Sequence, residues 1–177
     1  MPDIISVKNL DPDLNCSSPL LTDLLRLWHD ARGGRAMPAR KDMDPIKLGP
    51  ALLPHIMLID VEHEPQPRFR WRLIGTHITT VLDRDMTGRY WDEIYQGKDL
   101  ATLRLRADWV LQHRAPLRAL GHATSHGRDF ENLEALHLPL SDDDTTINMI
   151  FAASVYTLSS RAAITARDAD KYEPLRP

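Results

Sequence analysis

The chain has 177 residues, 42% of them hydrophobic, and its 22 basic against 25 acidic side chains leave a net charge of −3. That is enough apolar material for a core, and too little positive charge for the footprint of a nucleic-acid or anionic-membrane binder. No apolar run approaches the ~18 residues of a membrane span. The opening Met-Pro-Asp-Ile-Ile-Ser lacks a basic-then-apolar signal, and the single Cys16 has no internal disulfide partner, so a cytoplasmic setting is expected.

Residues 1–18 hold two prolines and three aspartates. They read as a flexible arm, with Ile4, Ile5 and Val7 as material for a short edge strand. Pro19 then opens a helix with Ser18 as its N-cap. Leu20, Leu21, Leu24, Leu25, Leu27, Trp28 and Ala31 recur at intervals of three and four, the spacing of an amphipathic stripe. That stripe covers either its own domain or a second copy of the chain, and periodicity does not distinguish the two. Arg35–Lys41 reads as a solvated linker. Asp44-Pro45 starts a short helix interrupted at Gly49-Pro50. Residues 19–54 are therefore expected to form a helical extension to a core over 55–158.

His55-Ile-Met-Leu-Ile-Asp-Val61 is a nearly continuous apolar run and reads as a buried strand. In the next strand Phe69, Trp71 and Leu73 alternate with Arg68, Arg70 and Arg72. Gly75 ends that strand without a Cβ clash, and Thr76 is placed to cap a helix carrying Ile78, Val81 and Leu82. Gly88 suits a turn of positive φ. Trp91–Tyr95 reads as a single helical turn, and Asp99–His113 as a long helix with a stripe at Leu100, Leu103, Ala107, Val110 and Leu111. Strands over 117–123, 130–140 and 145–158 follow. In the last, Ile147, Met149, Phe151, Ala153 and Val155 share a face. The charged tail, 159–177, has little to bury and is expected to fray. Strands at both ends with helices between imply an α+β fold.

Arg72-Leu73-Ile74-Gly75-Thr76, followed by Asp85-Met86-Thr87-Gly88-Arg89, resembles the second strand and following helices of the PAS fold. Leu27-Trp28 with Pro38-Ala39-Arg40, the stretch from Asp44-Pro45 to Asp60-Val61, and Leu138-Pro139-Leu140-Ser141 extend the resemblance over Leu20–Leu158. More narrowly, the chain resembles a PAS-like family found mostly in alphaproteobacteria. The resemblance implies a five-stranded antiparallel sheet with helices on one face, preceded by the helical extension. It implies a sensory or regulatory protein that binds a small molecule or a signalling partner and acts as a homodimer. PAS domains often associate through a flanking N-terminal helix, which places Leu21, Leu24, Leu25, Trp28 and Arg72 at the expected interface. Any ligand is expected between the sheet and the helices after Thr76, against Trp71, Leu73, Ile78, Trp91, Met149 and Phe151.

Chemistry is weakly signalled. His122 and His126 straddle a turn, and Glu134 and His137 lie on opposite faces of a strand, so neither pair converges on a metal as helical neighbours would. His113, at the end of the long helix, stands where haem-binding PAS domains place their iron ligand, but only Arg114 and Arg118 are near enough to meet propionates. Cys16 lies far from the helix that would face a flavin, so cysteinyl photochemistry is not expected. Asp142-Asp143-Asp144 reads as a solvated turn. No nucleophile elbow, phosphate loop or dinucleotide fingerprint is present. The enzymatic alternative is a small cone-shaped α+β lyase or isomerase using a buried pair such as His137 with Asp60.

Overall fold

The computed structural model describes residues 4–125 and 128–158. His126, the tail over 159–177 and the first three residues of the arm lie outside them. In chain order the elements are β1 (Ile4–Asp11), α1 (Pro19–Arg32), α2 (Pro45–Leu52), β2 (Ile56–Glu62), β3 (Arg68–Ile74), α3 (Thr76–Leu82), α4 (Trp91–Ile94), α5 (Gly97–His113), β4 (Leu117–Ser125), β5 (Arg128–Leu140) and β6 (Met149–Leu158). The six strands form one sheet in the order β1-β4-β5-β6-β2-β3, with every neighbouring pair antiparallel. This is the α+β layer expected from the order of elements. Among the described residues no helix is long and apolar enough to cross a membrane.

The two faces of the sheet are covered differently. Leu133 and His137 of β5 face α3, α4 and α5. Glu134 alternates with them and so projects to the opposite face. There its carboxylate accepts the backbone N–H groups of Ser17 and Ser18, at 2.7 and 2.9 Å, where α1 begins. Ser18 is the N-cap residue, but its side chain makes no capping bond. Glu134 satisfies the helix start from the sheet instead.

This arrangement assigns the α1 stripe. Leu21 and Leu24 are 0% exposed and Trp28 is 2% exposed within a single chain. The Trp28 indole donates to the Pro139 carbonyl of β5 at 2.9 Å. These three residues were expected at a dimer interface and are instead core. The sheet offers them an apolar face, and burial stabilises at ~25 cal/mol per Å². Leu25 is half-buried at the edge of that packing. The extension over 19–54 and the unit over 55–158 share one hydrophobic core.

Residues 4–11, the part of the expected arm that held material for a short edge strand, form an edge strand on β4. Arg118 of β4 is 6% exposed and holds this edge through Asp11 at 2.8 Å and Glu134 at 2.6 Å. Pairing covers an otherwise open row of β4 backbone groups.

At the β3–α3 corner, Gly75 is the N-cap, with φ −67°. Its N–H donates to the Ile56 carbonyl at 2.8 Å. A Cβ at this position would lie 2.3 Å from the Pro54 carbonyl oxygen. Thr76, expected to cap α3, is its first helical residue and is exposed. The start of α3 carries no side-chain capping bond. Thr76→Ala is therefore expected to shift stability by less than about 0.5 kcal/mol, read from a thermal melt. A loss near 1 kcal/mol would restore the capping role.

Candidate functional site

The face beneath α3, α4 and α5 encloses a cavity of about 30 Å³. Its floor is Met57 and Ile59 of β2, Trp71 and Ile74 of β3, Leu133 and His137 of β5, and Ala152, Ser154 and Tyr156 of β6. Its roof is Ile78 and Leu82 of α3, Met86, Trp91 of α4, Tyr95, and Leu103 and Arg106 of α5. The volume is room for one or two water-sized groups. Most of the lining is apolar.

Of the residues expected against a ligand, Trp71, Ile78 and Trp91 line this cavity. The Trp71 and Trp91 rings lie 5.0 Å apart, and Phe69 stacks on Trp91 at 4.7 Å. Gly88, with φ +84°, lets the chain turn back so that its N–H reaches the Trp71 carbonyl. That turn lays residues 88–90 along the open edge of β3.

Leu73, Met149 and Phe151 are not in the site. Across β2 and β3, Leu58 pairs with Leu73 but Ile59 pairs with Trp71, so Arg72 is an extra residue in the ladder. This bulge reverses the alternation. Ile74 enters the cavity in place of Leu73, which is 39% exposed. Arg72 remains exposed and reaches Asp60 at 3.4 Å. In β6 the cavity residues are Ala152, Ser154 and Tyr156, so Met149 and Phe151 project to the α1 face. They do share one face, but it is the face that α1 covers.

The polar atoms at the cavity are short of partners. The Nε1 atoms of Trp71 and Trp91, Nε of Arg106 and Nδ1 of His137 are buried without a hydrogen bond. The Tyr95 hydroxyl donates to Met86 Sδ at 2.8 Å. Its phenol is pushed up to about 12, mainly by burial. The neighbouring Trp71 N–H acts against that shift, but from a position that falls short of a hydrogen bond. His137 is 5% exposed, and its pKa is held well below the usual imidazole range by burial and then by the Arg106 charge, so it is neutral at pH 7. Arg106 is also 5% exposed. Burial lowers its pKa, with the Tyr156 and Tyr95 phenols opposing. Among the described residues no carboxylate pairs with it. An unpaired buried cation costs several kcal/mol, and a site that retains one is a candidate for function.

Arg106 lies outside the apolar stripe of Leu100, Leu103, Ala107, Val110 and Leu111 by which the sequence marks the long helix, and a charged residue does not count toward such a stripe. A signal existed: Leu103, Arg106, Ala107 and Val110 follow the spacing of the buried face.

The remaining chemical candidates disperse. His113 is exposed, its ring stacked on Trp109 at 4.1 Å, so it does not reach the cavity as a haem ligand would. Asp60 follows Ile59 and projects away from the cavity into a 2.7 Å ion pair with Arg70. It therefore lies across the sheet from His137, and the lyase or isomerase dyad is not assembled. Cys16, beside Glu134 at the start of α1, is also on the far side. Asp143 accepts the N–H groups of Thr145 and Thr146, and Asp144 those of Ala36 and Met37. Asp143 thus closes a local turn, and Asp144 ties that turn to the connection between α1 and α2. Among the described residues no group of three or more His, Cys, Asp or Glu side chains is placed to hold a metal ion.

Residues 16–154 fit the family model of the PAS domain. No curated protein and no solved structure matches the chain.

Proposed function

The chain belongs to the PAS domain family, a family of sensory and regulatory modules, and from that premise we propose that it binds a small molecule in the cavity between the sheet and α3–α5. The observation that carries this reading is the set of unpartnered polar atoms at Trp71, Trp91, Arg106 and His137 around one apolar cavity. Interiors normally satisfy their polar groups, and a ligand supplies the missing partners. The short helices α3 and α4, joined by the turn at Gly88, form the roof together with α5. Such a segment rearranges more readily than the long α5, so occupancy of the cavity is read out as its position.

The signal leaves through an oligomer interface or a separate protein partner in the cytoplasm. The Leu21, Leu24 and Trp28 stripe is committed to the core, so a dimer uses other surfaces. Ile46, Leu53 and Leu105 are exposed apolar side chains that remain for that purpose.

Native mass spectrometry of freshly purified protein tests the reading. The expected result is a small-molecule adduct that is released on denaturation and is absent from Ala152→Leu, which adds bulk to the cavity floor. If the wild type carries no adduct and Ala152→Leu costs the ~1–3 kcal/mol of an overpacked interior, the site is filled core and the ligand reading fails.

A further inference from the structure

We propose that the cavity takes a small organic monoanion, a short-chain carboxylic acid, whose carboxylate pairs with the guanidinium of Arg106. This inference rests on the ligand-binding reading above and assigns the chemical class of the ligand. Arg106 is the one charged side chain lining the cavity among the described residues. It is 5% exposed, its Nε has no hydrogen-bond partner, and no carboxylate of the described chain pairs with it. A guanidinium is a rigid fork that matches a carboxylate with two parallel N–H···O bonds. The Trp91 indole N–H, also unpartnered, belongs to a residue lining the same cavity.

Charge, lining and size narrow the class. One buried cation balances one negative charge, which disfavours dicarboxylates. His137 lacks a positive charge to offer, because burial and Arg106 itself hold it neutral. The phenol of Tyr95 stays un-ionised, so it does not neutralise Arg106 from within. Most of the remaining wall is apolar, with Met57, Ile59, Ile74, Ile78 and Leu82 in it, and Ser154 and Tyr156 add hydroxyls on the β6 side. Its apolar part suits methyl and methylene groups and would strip most hydroxyls of a sugar acid of water without replacing it. A cavity of about 30 Å³ limits the ligand to a few heavy atoms unless the α3–α4 roof moves outward.

The test uses the full chain. Sodium formate, acetate, propionate and butyrate are titrated at constant ionic strength, with binding read by calorimetry and by the fluorescence of the tryptophans. Sodium chloride, succinate and the neutral isostere propionamide are the comparison probes. One or more of the four acids is expected to bind saturably and raise the melting temperature, with chloride, succinate and propionamide far weaker. Arg106→Met keeps the side-chain length and removes the charge. It is expected to melt at a higher temperature than the ligand-free wild type and to bind the acid at least about tenfold more weakly, the loss of a charge-assisted hydrogen bond. Arg106→Lys, which keeps the charge and loses the fork, covers the case in which Arg106→Met does not fold, and is expected to fall between the two. Propionamide binding as well as propionate, or Arg106→Met binding the acid like wild type, overturns the anion assignment while leaving the cavity as a ligand site. Chloride reproducing the effect overturns it in favour of an inorganic-ion site. No saturable binding of any acid overturns it as well. The cavity reading falls with it only if native mass spectrometry also finds no adduct.

Discussion

Trp28→Ala is expected to destabilise the protein by about 3–5 kcal/mol, without producing a folded monomer from a dimer. Trp28 is 2% exposed and packed with Leu21 and Leu24 between α1 and the sheet. Its removal opens a large cavity and leaves the Pro139 carbonyl without its 2.9 Å donor. Domains of this kind have total stabilities of ~5–15 kcal/mol, so the variant is expected to be at or near unfolding at 37 °C. Chemical denaturation with light scattering on the same samples separates the two uses of the helix. An interface helix would yield a monomer with an unchanged transition midpoint. A core helix yields a much lower midpoint, whatever the oligomeric state. Trp28→Phe, which keeps most of the buried surface and loses the indole N–H, is expected to cost ~1–3 kcal/mol through the unsatisfied carbonyl. A Trp28→Ala protein with wild-type stability would show that α1 does not pack on this sheet.

Gly75→Ala should be nearly as damaging, at about 3 kcal/mol or more, the upper end of overpacking. Its backbone angles, φ −67° and ψ 153°, suit alanine, so the new residue carries no strain of its own. The obstacle is what the Cβ meets: the Pro54 oxygen at 2.3 Å, the Pro54 carbonyl carbon at 2.6 Å and the Leu53 oxygen at 2.9 Å. All three are backbone atoms, so a rotamer change does not relieve the clash. The corner has to move, and it is held by the Gly75 N–H on the Ile56 carbonyl. Movement carries α3 with it, including Ile78 and Leu82 of the cavity roof, so ligand binding is expected to weaken along with stability. Urea denaturation gives the magnitude, and the adjacent Thr76→Ala serves as the control. Equal stability of Gly75→Ala and wild type would mean that the corner is not in close contact with Pro54.

What could be read from the chain alone was local. Alternation at Phe69 and Trp71 marked β3, the three-and-four spacing of Leu21, Leu24 and Trp28 marked α1, and Gly75 marked the corner. Each depends on residues within a few positions of one another, and the period of an element is set by its own backbone geometry. The order of strands and helices then sufficed for the α+β class.

What only the tertiary structure decided was which face meets what. A period of two separates the faces of β6 but does not say that Ala152, Ser154 and Tyr156 line the cavity while Met149 and Phe151 project to the opposite face. A single extra residue at Arg72 exchanges Leu73 for Ile74, and no local pattern announces it because a bulge is a property of the pairing with β2. The α1 stripe would look the same beneath a second subunit as beneath its own sheet. Arg106 gains its meaning in the same way. A cation on a helix is ordinarily solvated, and this one is buried because α5 lies across a sheet whose residues there, His137 and Tyr156 among them, carry no negative charge to answer it.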